Sequence, residues 1–213
     1  MFKIDKKEPD FFIKTKRKIV NFNRKEAWSD NVINEIRTNL RKYILETEQY
    51  NICIYCEKVV ILNNSHIDHF KKRSLFPEET LNYQNLLVSC NELDRCGKFK
   101  DTMISNKDEN NELINPVIEN PENFFEYDFN GTIKPKNSLI EVDRKRAEVT
   151  ISKFNLNHPA LIEERKKVIS NLIIYLQQKL VNSVEDVINF GLKNFRSVTI
   201  FMLNIKEQIK NTV

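Results

Sequence analysis

Residues 53–101 read CIYCEKVVILNNSHIDHFKKRSLFPEETLNYQNLLVSCNELDRCGKFKD, and this stretch holds all four cysteines and two of the three histidines of the 213-residue chain. Cys53-Ile54-Tyr55-Cys56 is a Cys-x-x-Cys pair; after a 33-residue gap, Cys90 and Cys96 form a second pair. Two thiolates at that spacing on a hairpin knuckle reach one tetrahedral Zn²⁺ at about 2.3 Å, and a second pair closes the coordination sphere. The pattern predicts a structural Zn²⁺ on Cys53, Cys56, Cys90 and Cys96, with no position left open for catalysis. Five residues separate Cys90 from Cys96, against the usual two to four or so, which makes Cys96 the least well supported ligand.

Between the pairs lies His66-Ile67-Asp68-His69-Phe70. Along a strand, positions 66 and 68 share one face and 69 points to the other, so a bulge or strand end is needed to bring Asp68 and His69 around one metal-bound phosphate. Hydrolysis of a phosphodiester needs a base to activate water and a cation to stabilise the departing 3′ oxygen. His69 is suited to the first task because imidazole titrates near neutrality; Asp68 is suited to the second as a hard oxygen ligand for Mg²⁺ or Mn²⁺. A histidine base predicts cleavage that falls on acidification between about pH 8 and 5. The competing assignment makes His66 or His69 a zinc ligand or a core residue. Downstream, Asn85 is placed to brace the loop and Asn91 to reach the catalytic metal, while Lys71, Lys72, Arg73, Arg95, Lys98 and Lys100 offer phosphate contacts.

The rest of the chain is that of a folded protein without a membrane span: apolar residues make up 40% and charged residues 30%, with 3 Gly and 6 Pro. No stretch of about 18 apolar residues and no secretion signal is visible, so the cysteines are expected in the reducing cytoplasm, where clusters bind metal. Net charge is only +4, but residues 1–27 carry nine Lys/Arg against four acids, whereas 101–128 carry eight acids against Lys107 alone. This separates a basic face, a candidate for nucleic acid, from an acidic region.

Asp30 is read as the cap of a helix running to about Glu48, on the spacing of Val32, Ile33, Ile36, Leu40, Tyr43 and Ile44. Residues 51–62 read as a hairpin, ended by Asn63-Asn64-Ser65, with a strand from about His66. Asn130-Gly131 predicts a type I′ hairpin turn. Pro159 suits a first helical position ahead of a stripe of Ile162, Ile169, Leu172, Ile173, Leu176 and Leu180. Ser183 with Asp186 predicts a capping box, and Leu192 to Lys210 a last helix through Val198, Phe201, Ile205 and Ile209. The expected organisation is a basic arm and helix (1–50), a nuclease-type core with the four-cysteine zinc site (51–105), an acidic loop and hairpin (106–140) and a helical region (141–213). The fold class is α+β, a small core flanked by helices.

The order Cys-x-x-Cys, Asp-His, Asn-Leu-Leu, Cys-Asn and Cys-Gly-Lys resembles the HNH endonuclease family. The strings CIYCEK, HIDHFKKRS, YQNLLVSCN, CGKFKD, NPVIENPENFFEYDFNGTIKPK and FNLNHPALIEERKK narrow the resemblance to the PtuB-type HNH subunit of Septu antiphage defence systems, also found with some retrons. It extends from Met1–Trp28 to about Lys167. It implies that the core is of the small ββα-metal, treble-clef-like kind, with Asp68 a metal ligand, His69 the general base, Asn85 the middle asparagine of the motif and the four cysteines structural. It also implies cleavage of DNA, leaving 5′-phosphate and 3′-hydroxyl ends. The implied partner is an ABC/SMC-like ATPase subunit of the PtuA type, in some systems with a retron reverse transcriptase and its RNA/DNA. The chain departs from the pattern at Gly97, where the motif's last His or Asn stands, which leaves Asn91 as the substitute ligand. No glycine-rich phosphate loop is present, as expected if nucleotide sits on the partner, contacted by the arm and the helices from Leu161 onward. A zinc-stabilised nucleic-acid-binding or scaffold module without catalysis, or a metal-independent regulatory subunit, is the alternative reading.

Overall fold

The first long helix begins where the sequence places it, because the Asp30 carboxylate accepts the Val32 N–H at 3.0 Å and so satisfies one of the free donors of the first turn. This computed structural model describes residues 1–19 and 24–206. A short helix α1 (Asp10–Lys16) precedes α2 (Asn31–Tyr43), which runs into a π-helical turn, Ile44–Glu48. Ile33, Leu40, Ile44 and Leu45 are buried, the apolar stripe facing the core as the spacing requires.

The predicted hairpin over 51–62 is reduced to a knuckle with a single bridge, Ile52 to Val59. Strand β1 (Ser65–His69) then pairs antiparallel with β2 (Leu86–Cys90), from Ser65 opposite Cys90 to His69 opposite Leu86, and helix α3 (Cys96–Met103) follows. All five residues of β2 are buried, because helices and the knuckle cover both faces of this two-stranded ladder.

The acidic region contains α4 (Lys107–Asn111) and the small hairpin β3 (Phe125–Tyr127) with β4 (Ile133–Pro135). Its turn is not type I′: Asn130 has an ordinary φ and only Gly131 is left-handed, at φ 92°. The Gly131 N–H bonds back to Asp128 O at 2.9 Å and the Asp128 N–H to Thr132 O at 2.9 Å, a three-residue loop closed by a glycine in the left-handed region. A Cβ on Gly131 would lie 2.2 Å from Ile162 O, so glycine is required by packing as well.

Four helices follow among the described residues: α5 (Glu141–Lys153), α6 (Pro159–Gln177), α7 (Val184–Asn189) and α8 (Arg196–Asn204). Pro159 occupies the first turn of α6, and α7 has the full Ser183/Asp186 capping box. The buried face of α6 is carried by Leu161, Arg165, Val168, Ile169, Leu172 and Leu176; Leu180, expected in that stripe, lies beyond the helix end and is 45% exposed. The expected extension of the last helix through Ile209 to Lys210 lies outside the described residues. Phe154, at the end of α5, packs against Tyr55 and accepts the Cys96 N–H at 2.9 Å, which joins the C-terminal helices to the cysteine-bearing core.

Candidate active site and zinc centre

The knuckle is shaped by backbone hydrogen bonds that aim its sulfurs inward. The Cys53 N–H reaches Lys58 O and the Glu57 N–H reaches Cys53 O, both at 2.9 Å, with Glu57 in the left-handed region at φ 62°. The Cys90 N–H points at Cys53 Sγ at 3.4 Å. Cys96 enters at the start of α3 with φ 61°, a conformation that costs an L-residue roughly 1–2 kcal/mol. That left-handed step is how the chain absorbs the long Cys90–Cys96 spacing.

The four ligand atoms lie within 4.8 Å of one another, all four residues are buried, and none forms a disulfide. A tetrahedral ion with bonds of about 2.3 Å places its sulfurs about 3.8 Å apart, so the set fits Zn²⁺. Burial, reinforced by proton sharing with the other three thiols, pushes the Cys96 thiol well above its ordinary range. A divalent ion offsets that penalty and would act as a cross-link between knuckle, β2 and α3.

Asp68 and His69 sit side by side at the end of β1, in an unbroken ladder where Asp68 faces Leu87 and His69 faces Leu86. There is no bulge, so the two side chains leave on opposite faces. Asp68 is 2% exposed, and its two oxygens take the Lys100 ammonium at 3.1 and 2.9 Å; Oδ2 also accepts the Tyr55 hydroxyl. Lys100 Nζ further donates to His69 O at 2.6 Å and Phe70 O at 3.3 Å, and lies 3.2 Å from Asp101 Oδ1. The ammonium thus fills an oxygen-lined hole and is wholly buried. Gly97 is pressed against Asp68, since a Cβ there would be 2.8 Å from Asp68 Cγ. The carboxylate occupies the space a side chain at 97 would need.

These contacts bear on the expected catalytic metal set of Asp68 and Asn91. Asn91 follows Cys90, four positions past Leu87, the ladder partner of Asp68, and so about 13 Å along the strand, and its Oδ1 meets His66 Nδ1 at 3.1 Å. Mg²⁺ takes about six oxygens at about 2.1 Å. With both Asp68 oxygens engaged and Asn91 at the other end of the ladder, Asp68 and Asn91 do not fit a shared Mg²⁺ or Mn²⁺.

His69 is 6% exposed, with its ring edge-on to Trp28, centroids 4.6 Å apart. Nε2 lies 2.9 Å from Thr80 O. A carbonyl oxygen only accepts, so Nε2 carries the proton and Nδ1 keeps its lone pair. Burial, with the Arg73 cation adding to it, pushes the His69 pKa down to about 3. The ring is therefore neutral across the range in which the sequence suggested titration, and the predicted loss of activity from about pH 8 to 5 loses its basis at this residue. Asn85, 4% exposed, accepts the Lys71 N–H at 2.7 Å and donates to Lys71 O and Glu79 O, each at 3.1 Å. It joins the ends of the loop that holds Thr80 against His69.

Most of the suggested phosphate contacts are otherwise engaged. Lys71 pairs with Glu79, Arg95 with Glu92 and Asp94, Lys72 caps the carbonyls of Asp101 and Ile104, Lys98 that of Asn91, and Lys100 is buried. Tyr55, Trp28 and Thr80 were not singled out by pattern; the one faint signal was Lys100, four residues after Cys96 and so on the same helical face.

Four buried cysteines drawn from the knuckle, β2 and α3 that could hold a metal, around two antiparallel strands and a helix with Asp-His at the end of the first strand, are consistent with an HNH core. No family model matches the chain. It is 31% identical over 141 residues to the HNH endonuclease assigned to retron Vc95 of Vibrio cholerae serotype O1 biovar El Tor, covering 62% of this chain and 65% of that protein. It is 28% identical over 144 residues to the Septu protein PtuB of Bacillus thuringiensis, covering 67% of this chain and 49% of PtuB. The chain is thus similar to proteins named as a retron HNH endonuclease and a Septu component. The matches span between half and two thirds of the relatives' lengths. No helix among the described residues is long and apolar enough to cross a membrane.

Proposed function

We propose that the chain is an HNH-type endonuclease that hydrolyses phosphodiester bonds in DNA as the nuclease effector of an antiphage defence complex with an ABC/SMC-like ATPase subunit. The observation that carries this reading is the His69–Thr80 hydrogen bond, which fixes the neutral tautomer with Nδ1 unprotonated. A base so held can take a proton from water at Nδ1 as the oxygen attacks phosphorus, and the imidazolium formed remains tied to Thr80 O. Asn85 acts through the loop, keeping Thr80 in place. The cysteine zinc would stiffen β2 and α3 and take no part in proton transfer. The names of the two relatives, an HNH endonuclease of a retron and a Septu component, support the defence setting.

The test is plasmid cleavage by zinc-loaded wild type and His69→Ala, with Mg²⁺, Mn²⁺ or EDTA, with and without the ATPase partner. Cleavage lost in the variant supports the reading, and equal cleavage in both proteins refutes it. The burial of Asp68 under Lys100 favours one alternative, a non-catalytic zinc-stabilised binding or scaffold subunit. In that case Asp68 and His69 are replaceable without loss of function.

A further inference from the structure

Two guanidinium groups, those of Arg37 and Arg73, lie near the His69–Trp28 pair without a direct ion-pair partner among the described residues. Arg73 follows β1 and lies close enough for its charge to lower the His69 pKa. Arg37, from the exposed side of α2, stacks on the other side chain that touches His69: its guanidinium carbon is 4.9 Å from the Trp28 ring centre, and Nη2 donates to Trp28 O. Among the described residues, neither arginine has a carboxylate within ion-pair distance (4.0 Å).

Each group is anchored but not satisfied. Arg73 Nη1 makes only a long contact, 3.4 Å, to Lys25 O, and Arg37 Nε is buried without a partner. The two are near enough for the Arg73 cation to add to the effect of burial in lowering the Arg37 pKa. Asp101 and Asp68 offset part of the Arg73 charge from beyond ion-pair distance, but the two cations still repel each other, and an anion bound between them relieves that repulsion. Arginine forks match the tetrahedral oxygens of a phosphate.

We infer that Arg37 and Arg73 form a phosphate clamp beside His69 that takes one phosphodiester of a nucleic-acid backbone and sets its distance from the imidazole. Arg41, one turn further along α2 and anchored to Ser65 O at 2.7 Å, continues the row toward the far end of β1. The inference rests on His69 as the centre of the site, and its test is separate from cleavage. Both arginines are positioning residues here.

The experiment is fluorescence anisotropy of the zinc-loaded full chain with labelled duplex DNA, single-stranded DNA and RNA across a salt series. Arg37→Gln and Arg73→Gln are each expected to weaken binding roughly tenfold, and each to flatten the slope of log K against log salt by about one. The probe that shows this dependence identifies the backbone the clamp takes. A double glutamine variant with unchanged affinity and slope on every probe overturns the inference. If the glutamine variants do not fold, Arg37→Lys and Arg73→Lys serve instead: they should keep the slope and lose several-fold in affinity, and indistinguishable behaviour overturns the clamp. Arginine-dependent binding by a chain that cleaves nothing defeats the nuclease reading and keeps the clamp. Cleavage with arginine-independent binding does the reverse.

Discussion

Replacing Lys100 by methionine probes the contact on which the candidate site turns. The side chain keeps its length, but Asp68 loses ammonium contacts at 3.1 and 2.9 Å and is left 2% exposed with only the Tyr55 hydroxyl. The carbonyls of His69 and Phe70 lose a donor at the same time. An uncompensated buried charge of this kind costs about 3–5 kcal/mol, which for a chain of this size lowers Tm by roughly 6–20 °C. Asp68→Asn is milder, because the ammonium keeps two carbonyls and Asp101 and the amide still bonds to Tyr55; about 1.5–3 kcal/mol is expected. The double variant removes both charges, so its loss should fall short of the sum of the single losses by about 2–3 kcal/mol. Urea unfolding of zinc-loaded protein in reducing buffer measures all three. A Lys100→Met loss under about 1 kcal/mol, or strict additivity, would refute the buried pair. The same variants discriminate the metal question: if Lys100 occupies the cation position, wild type binds no Mn²⁺ at Asp68, and an ion seen there by electron paramagnetic resonance and abolished by Asp68→Asn contradicts the geometry.

Further outcomes follow from single contacts. His69, neutral in the fold down to about pH 3 but protonated in the unfolded chain below its ordinary pKa, binds fewer protons folded than unfolded between those values. Stability should therefore fall as pH drops from about 6.5 toward 3, by at most about 1.4 kcal/mol per unit, and His69→Gln should flatten urea midpoints in that window. Between about pH 6.5 and 8, no inflection in the wild-type cleavage rate is expected from this residue, and an inflection matched by titration of the His69 ring in NMR counts against its neutrality. Chelation of Zn²⁺ should remove one ion per chain and unfold the knuckle, and Cys96→Ser should raise the release rate despite the long spacing, read with a colorimetric zinc indicator. Gly131→Ala, with φ 92° and a Cβ 2.2 Å from Ile162 O, is expected to cost about 3 kcal/mol or more, seen in thermal unfolding. Asn85→Ala removes three hydrogen bonds and should cost about 1–3 kcal/mol; a fully stable variant would show that the loop holds Thr80 without it.

By itself the sequence determined whatever depends on local spacing. Two cysteine pairs flanking Asp-His pointed to a four-thiolate cluster, because cysteines spaced two apart on a knuckle converge, and the fold brings Cys90 and the less well supported Cys96 to the same place. Asp30 and the Ser183/Asp186 pair marked two helix starts, since capping is settled within three residues. The tertiary structure alone decided how the site is wired. Adjacent strand residues alternate faces, so in the unbroken β1–β2 register Asp68 is sent inward to Tyr55 and Lys100, and His69 toward Trp28 and Thr80. Asn91, four residues along from the ladder partner of Asp68, was carried away from Asp68 to His66. Lys100, indistinguishable by charge from the surface lysines around it, became the buried counter-ion because one helical turn past Cys96 points into the protein. Arg37 and Arg73, 36 residues apart in the chain, came near the same site through tertiary packing alone, Arg37 by stacking on the Trp28 that touches His69 and Arg73 by following the end of β1. Spacing sets which groups can converge within a turn or a knuckle; strand register and helix packing set which of the distant ones do.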